Sequence, residues 1–229
     1  MELIHYAFTA VLIAVLVAAS VTFVFMGMGK VRRRRRLARQ AHVSGLKFFP
    51  DDPYDVPRRY ADFAVISSGH SPRANNVTAG SVGPGNVRLF DFRCELGHGT
   101  SRLTRRYSVA VAEAEKNLDH LLMWHGEDAD LAPLAARNAL ARVGAWSYHG
   151  SARLARALGA VCNSFADAQL SIEVRGPVVL IASPVKRAVR HHAIGLDRLA
   201  EILVAMESCC AGAFRKEPNQ PVANGGPSC

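Results

Sequence analysis

The sequence predicts an α+β chain: an N-terminal transmembrane helix, then a mostly antiparallel sheet with helices packed on one face. Three observations lead there. Leu3 to Gly29 carries no charged residue. Short apolar segments that alternate with polar residues then follow one another across turns too short to hold crossover helices. Two later segments repeat apolar residues at helical spacing, which adds helices to the sheet.

The apolar run comes first. Ala7 to Met28 would form a helix of about 33 Å at about 1.5 Å per residue, enough to cross a hydrocarbon core of about 30 Å. Its Val, Ile, Leu, Phe and Ala residues run right round the helix and leave no polar side for a soluble core. A cleaved signal peptide fits less well. Met1 to His5 carries Glu2 and no Lys or Arg, and the apolar run passes Ala18-Ala19-Ser20 without a break.

Lys30, Arg32, Arg33, Arg34, Arg35, Arg36 and Arg39 follow the run, and no Lys or Arg precedes it. The positive-inside rule places the N-terminus outside and the rest in the cytoplasm, at the inner (plasma) membrane. These seven residues set topology and meet anionic lipid head groups. They also account for most of the net charge of +9. The remainder sums to about +2, so the basicity belongs to the membrane and not to a nucleic-acid groove.

The domains read as 1–29, the N-terminal segment with its span; 30–40, a basic linker; 41–210, a cytoplasmic α+β domain; and 211–229, a disordered tail with three prolines. Leu37 to Phe49 reads as a short helix ended by Gly45 and Pro50. Asp51 to Pro57 is a turn-rich connector. Asp62 to Ser68 reads as a strand. A polar turn follows from Gly69 to Asn75, Val77 opens a short strand, and Gly80 to Asn86 turns. Val87 to Arg93 and Arg105 to Ala112 form a hairpin around a loop holding Gly97 and Gly99, with Leu89 and Val109 both facing the helices.

Leu118, Leu122 and Trp124 suggest another strand. Ala-rich Asp130 to Val143 reads as a helix, and Ala145 to His149 as a short strand. Ser151 caps an amphipathic helix to Phe165. Leu170 to Arg175 and Val178 to Ala182 read as a hairpin turning at Gly176-Pro177. Arg190 to Ser208 closes the domain as a helix.

Candidate chemistry is sparse, and the sequence points to no cofactor and no metal. Among Cys94, Cys162, Cys209, Cys210 and Cys229 there is no C-x-x-C pair, and free thiols suit a reducing compartment. His70 and His98 lie in loops, where one beside Ser71 or Cys94 would make a general base and nucleophile. No G-x-S-x-G elbow supports that. A zinc site built from Cys94, His98 and His191-His192 would need ligands that converge, and adjacent histidines point apart. Gly80 to Gly85 lacks the G-K-[ST] ending of a P-loop. Asn76-Val77-Thr78 is a silent sequon in a cytoplasmic domain. Asp91 and Arg93 opposite Arg105 and Arg106 form a charged patch, explained by cross-strand pairing or by an anionic partner.

Gly45-Leu46-Lys47-Phe48, Asp51-Asp52-Pro53, Gly69-His70-Ser71, Asn75-Asn76-Val77, Leu89-Phe90-Asp91-Phe92 and Arg105 to Val109 together resemble a family of uncharacterised bacterial single-pass membrane proteins. The likeness spans about residues 41 to 112. It implies an anchor, a basic linker and a cytoplasmic domain, and it carries over no catalytic residue. The function expected is therefore a membrane-anchored, non-enzymatic interaction or accessory module with a protein partner. The alternative is an enzyme at the inner membrane surface with a His/Cys loop site.

Overall fold

The computed structural model describes residues 2–82, 85–125, 141–163, 170–184 and 204. The chain opens with one continuous helix, α1 (Glu2–Val43), 42 residues long. The basic linker is part of that helix, so the separate helix expected from Leu37 to Phe49 does not exist. Ser44 and Gly45 end α1. Gly45 sits at φ 69, where a side chain would be strained. Leu46 N–H reaches back to Ala41 C=O (2.8 Å) and Gly45 N–H to His42 C=O (3.1 Å), a glycine-closed helix end.

Phe48 to Pro50 then lie in an edge strand, β1 (Lys47–Asp51). Pro50 has no N–H to donate and is tolerated there because one side of an edge strand is unpaired. Asp52 organises the connector that follows. Its carboxylate accepts from Tyr54 N–H (3.0 Å) and Val56 N–H (2.7 Å), leading into α2 (Val56–Arg59).

The strand expected at Asp62 to Ser68 is instead a helical turn, α3 (Ala64–Ser67). Phe63, Ala64, Val65 and Ile66 are all buried. A short apolar run of this kind does not reveal its period. The tertiary contact decides: Ala64 N–H donates to the Glu173 carboxylate at 2.6 Å.

Strands β2 (His70–Val82) and β3 (Gly85–Leu96) follow. The polar stretch read as a turn, Gly69 to Asn75, lies almost wholly in β2. Two irregularities take up its awkward residues, one at Ser71 (φ 51) and one at Asn76 (φ 53). Strand β4 (Leu103–His125) is 23 residues long and joins the two separate strands expected there. The Ala-rich helix expected at Asp130 to Val143 falls mostly outside the described residues, and its end, Ala141–Val143, is strand β5. β6 (Trp146–Gly150) and α4 (Ala152–Cys162) occur as expected, with Ser151 accepting from Leu154 N–H at 3.5 Å.

β7 (Ser171–Pro184) is one strand and not a hairpin. Both halves pair antiparallel with β4: Leu122 to Trp124 with Ser171 to Glu173, and Tyr107 to Glu113 with Val178 to Pro184. Gly176 (φ 55) and Pro177 sit where the register shifts, so they kink the strand without reversing it. The described strands form one seven-stranded antiparallel sheet in the order β1-β2-β3-β4-β6-β5, with β7 along the other edge of β4. The helix expected at Arg190 to Ser208, Val204 apart, and the tail from 211 lie outside the described residues.

The sheet is covered on both faces, which corrects the expectation of helices on one. Val56, Tyr60, Phe63, Val65 and Ile66 from the α2–α3 region pack with Phe90, Phe92, Val109, Val111 and Leu180. Leu154, Ala155, Leu158 and Cys162 of α4 pack with Val87, Ala110, Ala112, Val179 and Ile181. Leu89 pairs with Ala110 and Phe90 with Val109. Leu89 therefore belongs to the α4 face and Val109 to the other, so the two do not share a side.

Candidate membrane interface

α1 joins the sheet through its last three turns. Ala41 is 2% exposed. Leu46, just past the helix end, is seated on Gly80, where an added Cβ would come within 2.5 Å of its Cδ2. Gly80 pairs with Val87 on β3. Eight residues before Ala41, the Arg33 guanidinium meets the Asp91 carboxylate at 2.6 Å. The other oxygen of Asp91 accepts from the Asn76 amide, also at 2.6 Å. The lengths agree: eight helical residues rise about 12 Å, and Val87 to Asp91 extends about 13 Å. α1 thus lies along the sheet and leaves it in the direction of Arg93.

The basic residues do different things. Arg33 is turned to the sheet, and Arg34 lies 3.9 Å from Asp51. Arg32, Arg35, Arg36 and Arg39 are exposed, and the side chain of Lys30 lies outside the described ones. Farther up, Val11, Leu12, Ile13, Val15, Leu16, Val17 and Val21 are between 48% and 63% exposed. The two hydroxyls among them are satisfied within the helix: Ser20 donates to Leu16 C=O and Thr22 to Ala18 C=O, both at 2.8 Å. Among the described residues, no helix is long and apolar enough to cross a membrane.

A polar network occupies the opposite face. Arg88 donates to Glu113 (2.5 Å) and to the Tyr60 hydroxyl (2.7 Å), and its guanidinium lies 5.4 Å from the centre of the Tyr54 ring. Arg59 also reaches Glu113, at 3.1 Å. Burial pushes the Glu113 carboxyl up, but the bond and charge of Arg88, with Tyr60 and Arg59, hold it below its ordinary value. Burial, opposed by Arg88, raises the Tyr60 phenol. Glu173 is fully buried, and burial raises its carboxyl despite bonds from Arg175 Nε–H and Ala64 N–H. Both glutamates are structural clasps reaching over a hundred or about fifty residues. Nothing local in the sequence marks them.

Among the described residues, the groups named for the enzyme alternative do not converge. Cys94 is fully buried, and burial raises its thiol; its Sγ lies 3.8 Å from the Ser68 hydroxyl. Burial takes the Cys162 thiol up to about 12. His70 and His98 are exposed and stacked on each other, 4.6 Å between centres, with His70 Nε2 on Gly97 C=O at 2.8 Å. Neither is bonded to Cys94. Among the described residues no group of three metal-ligating side chains forms, and His191-His192 lie outside them.

No protein-family model matches this chain, and no curated protein matches it. Among solved structures, the crystal structure of the mycobacterial trehalose monomycolate transport factor A, TtfA, is similar over 82% of this chain and 97% of that one. The identity is 16% and the TM-score 0.49, a likeness too distant to carry function across.

Proposed function

We propose that the chain is a membrane-anchored accessory module: a single N-terminal span holds an α+β interaction domain against the cytoplasmic face of the inner membrane, without enzymatic activity of its own. The observation that carries this reading is α1 itself. Its apolar side chains from Val11 to Val21 are exposed on every side, while its basic end is clasped to the sheet. Exposed apolar side chains all round a helix are unfavourable in water and stable in lipid. One helix therefore serves as span and as the domain's first packed element, and it orients the sheet relative to the bilayer.

Membrane fractionation and reporter fusions test this. The full chain should stay with membranes after alkaline extraction. A C-terminal reporter should be active only if it works in the cytoplasm. Reversing the charges of Arg32, Arg34, Arg35 and Arg36, with Arg33 kept for Asp91, should scramble insertion. Release by alkali, or an active periplasm-dependent reporter, would overturn the reading. Photocrosslinks from the exposed sheet surface to a defined protein should depend on residues 1–29. Turnover of a small molecule by the purified domain would favour the enzyme alternative instead.

A further inference from the structure

The register of the sheet brings three arginines side by side. Arg73 on β2 is directly opposite Arg93 on β3, and Arg93 is directly opposite Arg106 on β4. All three are exposed. No described ion pair reaches any of them. The sequence reading set Asp91 and Arg93 opposite Arg105 and Arg106; in the fold Arg93 meets Arg106, while Asp91 stands opposite Ser108 and is taken by Arg33. Strands lie about 4.8 Å apart, so like charges stand at close range in a row, an arrangement that destabilises a sheet unless anions answer it.

The row has a definite place. It lies on the same face as Asp91, two residues further along β3, in the direction in which α1 leaves the sheet. Two strand residues span about 7 Å, which is four to five residues of helix. The row is thus level with about Met28 or Gly29, where the uncharged stretch meets the basic one. Just beyond the row is the β3–β4 hairpin tip. There Leu103, on the other side of the strand from Arg106, is 52% exposed, and Arg102 before it is paired with Glu95. A cationic row with an apolar residue projecting past it is the pattern of a surface that rests on a bilayer.

We propose that Arg73, Arg93 and Arg106 form a head-group binding row that seats the sheet on anionic lipid, with Leu103 entering the interface. This rests on the anchored reading above. It adds that the domain has a second contact with the bilayer, remote in sequence from the span. Arginine suits the role because its planar fork bonds phosphate oxygens in pairs.

The test uses the full chain in lipid nanodiscs, either zwitterionic phosphatidylcholine or phosphatidylcholine mixed with phosphatidylglycerol, followed by amide hydrogen exchange. Co-elution with the discs reports the anchor separately. Amides of the hairpin tip, 97–103, should exchange about tenfold more slowly in anionic discs, the size that one or two charges near a membrane would give. The difference should vanish in about 1 M salt, where screening acts within about 3 Å. It should also vanish in the triple variant Arg73→Gln, Arg93→Gln, Arg106→Gln, whose melting temperature should hold or rise. Leu103→Ser, at an exposed position, should shrink the difference and keeps the test decisive if the triple variant does not fold.

Equal exchange in both discs with intact co-elution overturns the row and leaves the anchor standing. Loss of co-elution overturns both. Protection that appears in zwitterionic discs only after adding soluble polyphosphate or an acidic peptide overturns the lipid assignment in favour of a soluble anion.

Discussion

Arg88 shows how one position changes meaning between sequence and structure. In the strand pattern it alternates with apolar neighbours and reads as solvent-facing. In the fold its side chain is only 12% exposed and bonded to Glu113 and Tyr60. Hydrogen bonds to charged groups contribute about 1.5–3 kcal/mol each, so Arg88→Ala should lower stability in urea unfolding by about that much or more. Phe90→Ala, on the same face, should cost about 3–5 kcal/mol, and His98→Ala almost nothing. Glu113 makes the Arg88 effect pH-dependent. Its folded pKa lies below the unfolded one, so its contribution is present above the unfolded value and is lost as pH falls through the folded value. Wild type should therefore lose stability toward acid more steeply than Glu113→Gln, compared by urea unfolding from about pH 6 to about pH 3. Glu173 has the opposite sign. Its folded pKa is raised, so its contribution is complete below the unfolded value and falls as pH rises through the folded one. The stability of Glu173→Gln relative to wild type should accordingly improve with rising pH.

At the level of elements, two glycines with positive φ separate strain from clash. Gly144 (φ 59), in the β5–β6 turn, has open space where a Cβ would point. Gly150 (φ 105) ends β6 so close to the His120 carbonyl that a Cβ would collide with it, and the next amide, Ser151 N–H, donates to that carbonyl at 2.9 Å. Gly144→Ala should cost about 1–2 kcal/mol, the left-handed penalty alone. Gly150→Ala should cost clearly more, because backbone must shift and the start of α4 with it. Equal thermal shifts for the two would contradict this. The same turn chemistry misleads at Gly176-Pro177, whose composition is that of a hairpin turn. A glycine with positive φ serves a bulge as well as a turn, and only the partner strand distinguishes them. β4 is long enough to pair with both halves of β7, so the strand continues.

For the molecule as a whole, α1 ties the membrane reading to the stability of the domain. A fragment beginning at Leu37 keeps Ala41 and Leu46, the apolar part of the dock, and loses Arg33. It should still unfold cooperatively, with a loss of about 1 kcal/mol or less, since the Arg33–Asp91 pair is partly solvated. Asp91→Ala in the full chain should cost more than that, since it also removes the bond from the Asn76 amide. A fragment that aggregates, or melts without cooperativity, would show that the sheet needs the whole helix.

Residue order alone settled the features that depend on local periodicity and charge. These are the uncharged N-terminal run and the arginines behind it, the β3–β4 hairpin, the Ser151 cap and the amphipathic α4, and the α+β class. Tertiary structure decided the rest. It turned Asp62 to Ser68 from strand to helix through the Glu173 carboxylate, and it made one strand of the supposed hairpin in β7. It placed helices on both faces, and it set Arg33 apart from the other arginines of the basic run. The physical reason is common to these cases. Each depends on a partner roughly fifty or more residues away in the chain, and a long-range contact leaves no period, cap or turn residue behind it. The arginine row lies between: the hairpin pattern already set Arg93 against Arg106, and only the β2–β3 register adds Arg73 beside them.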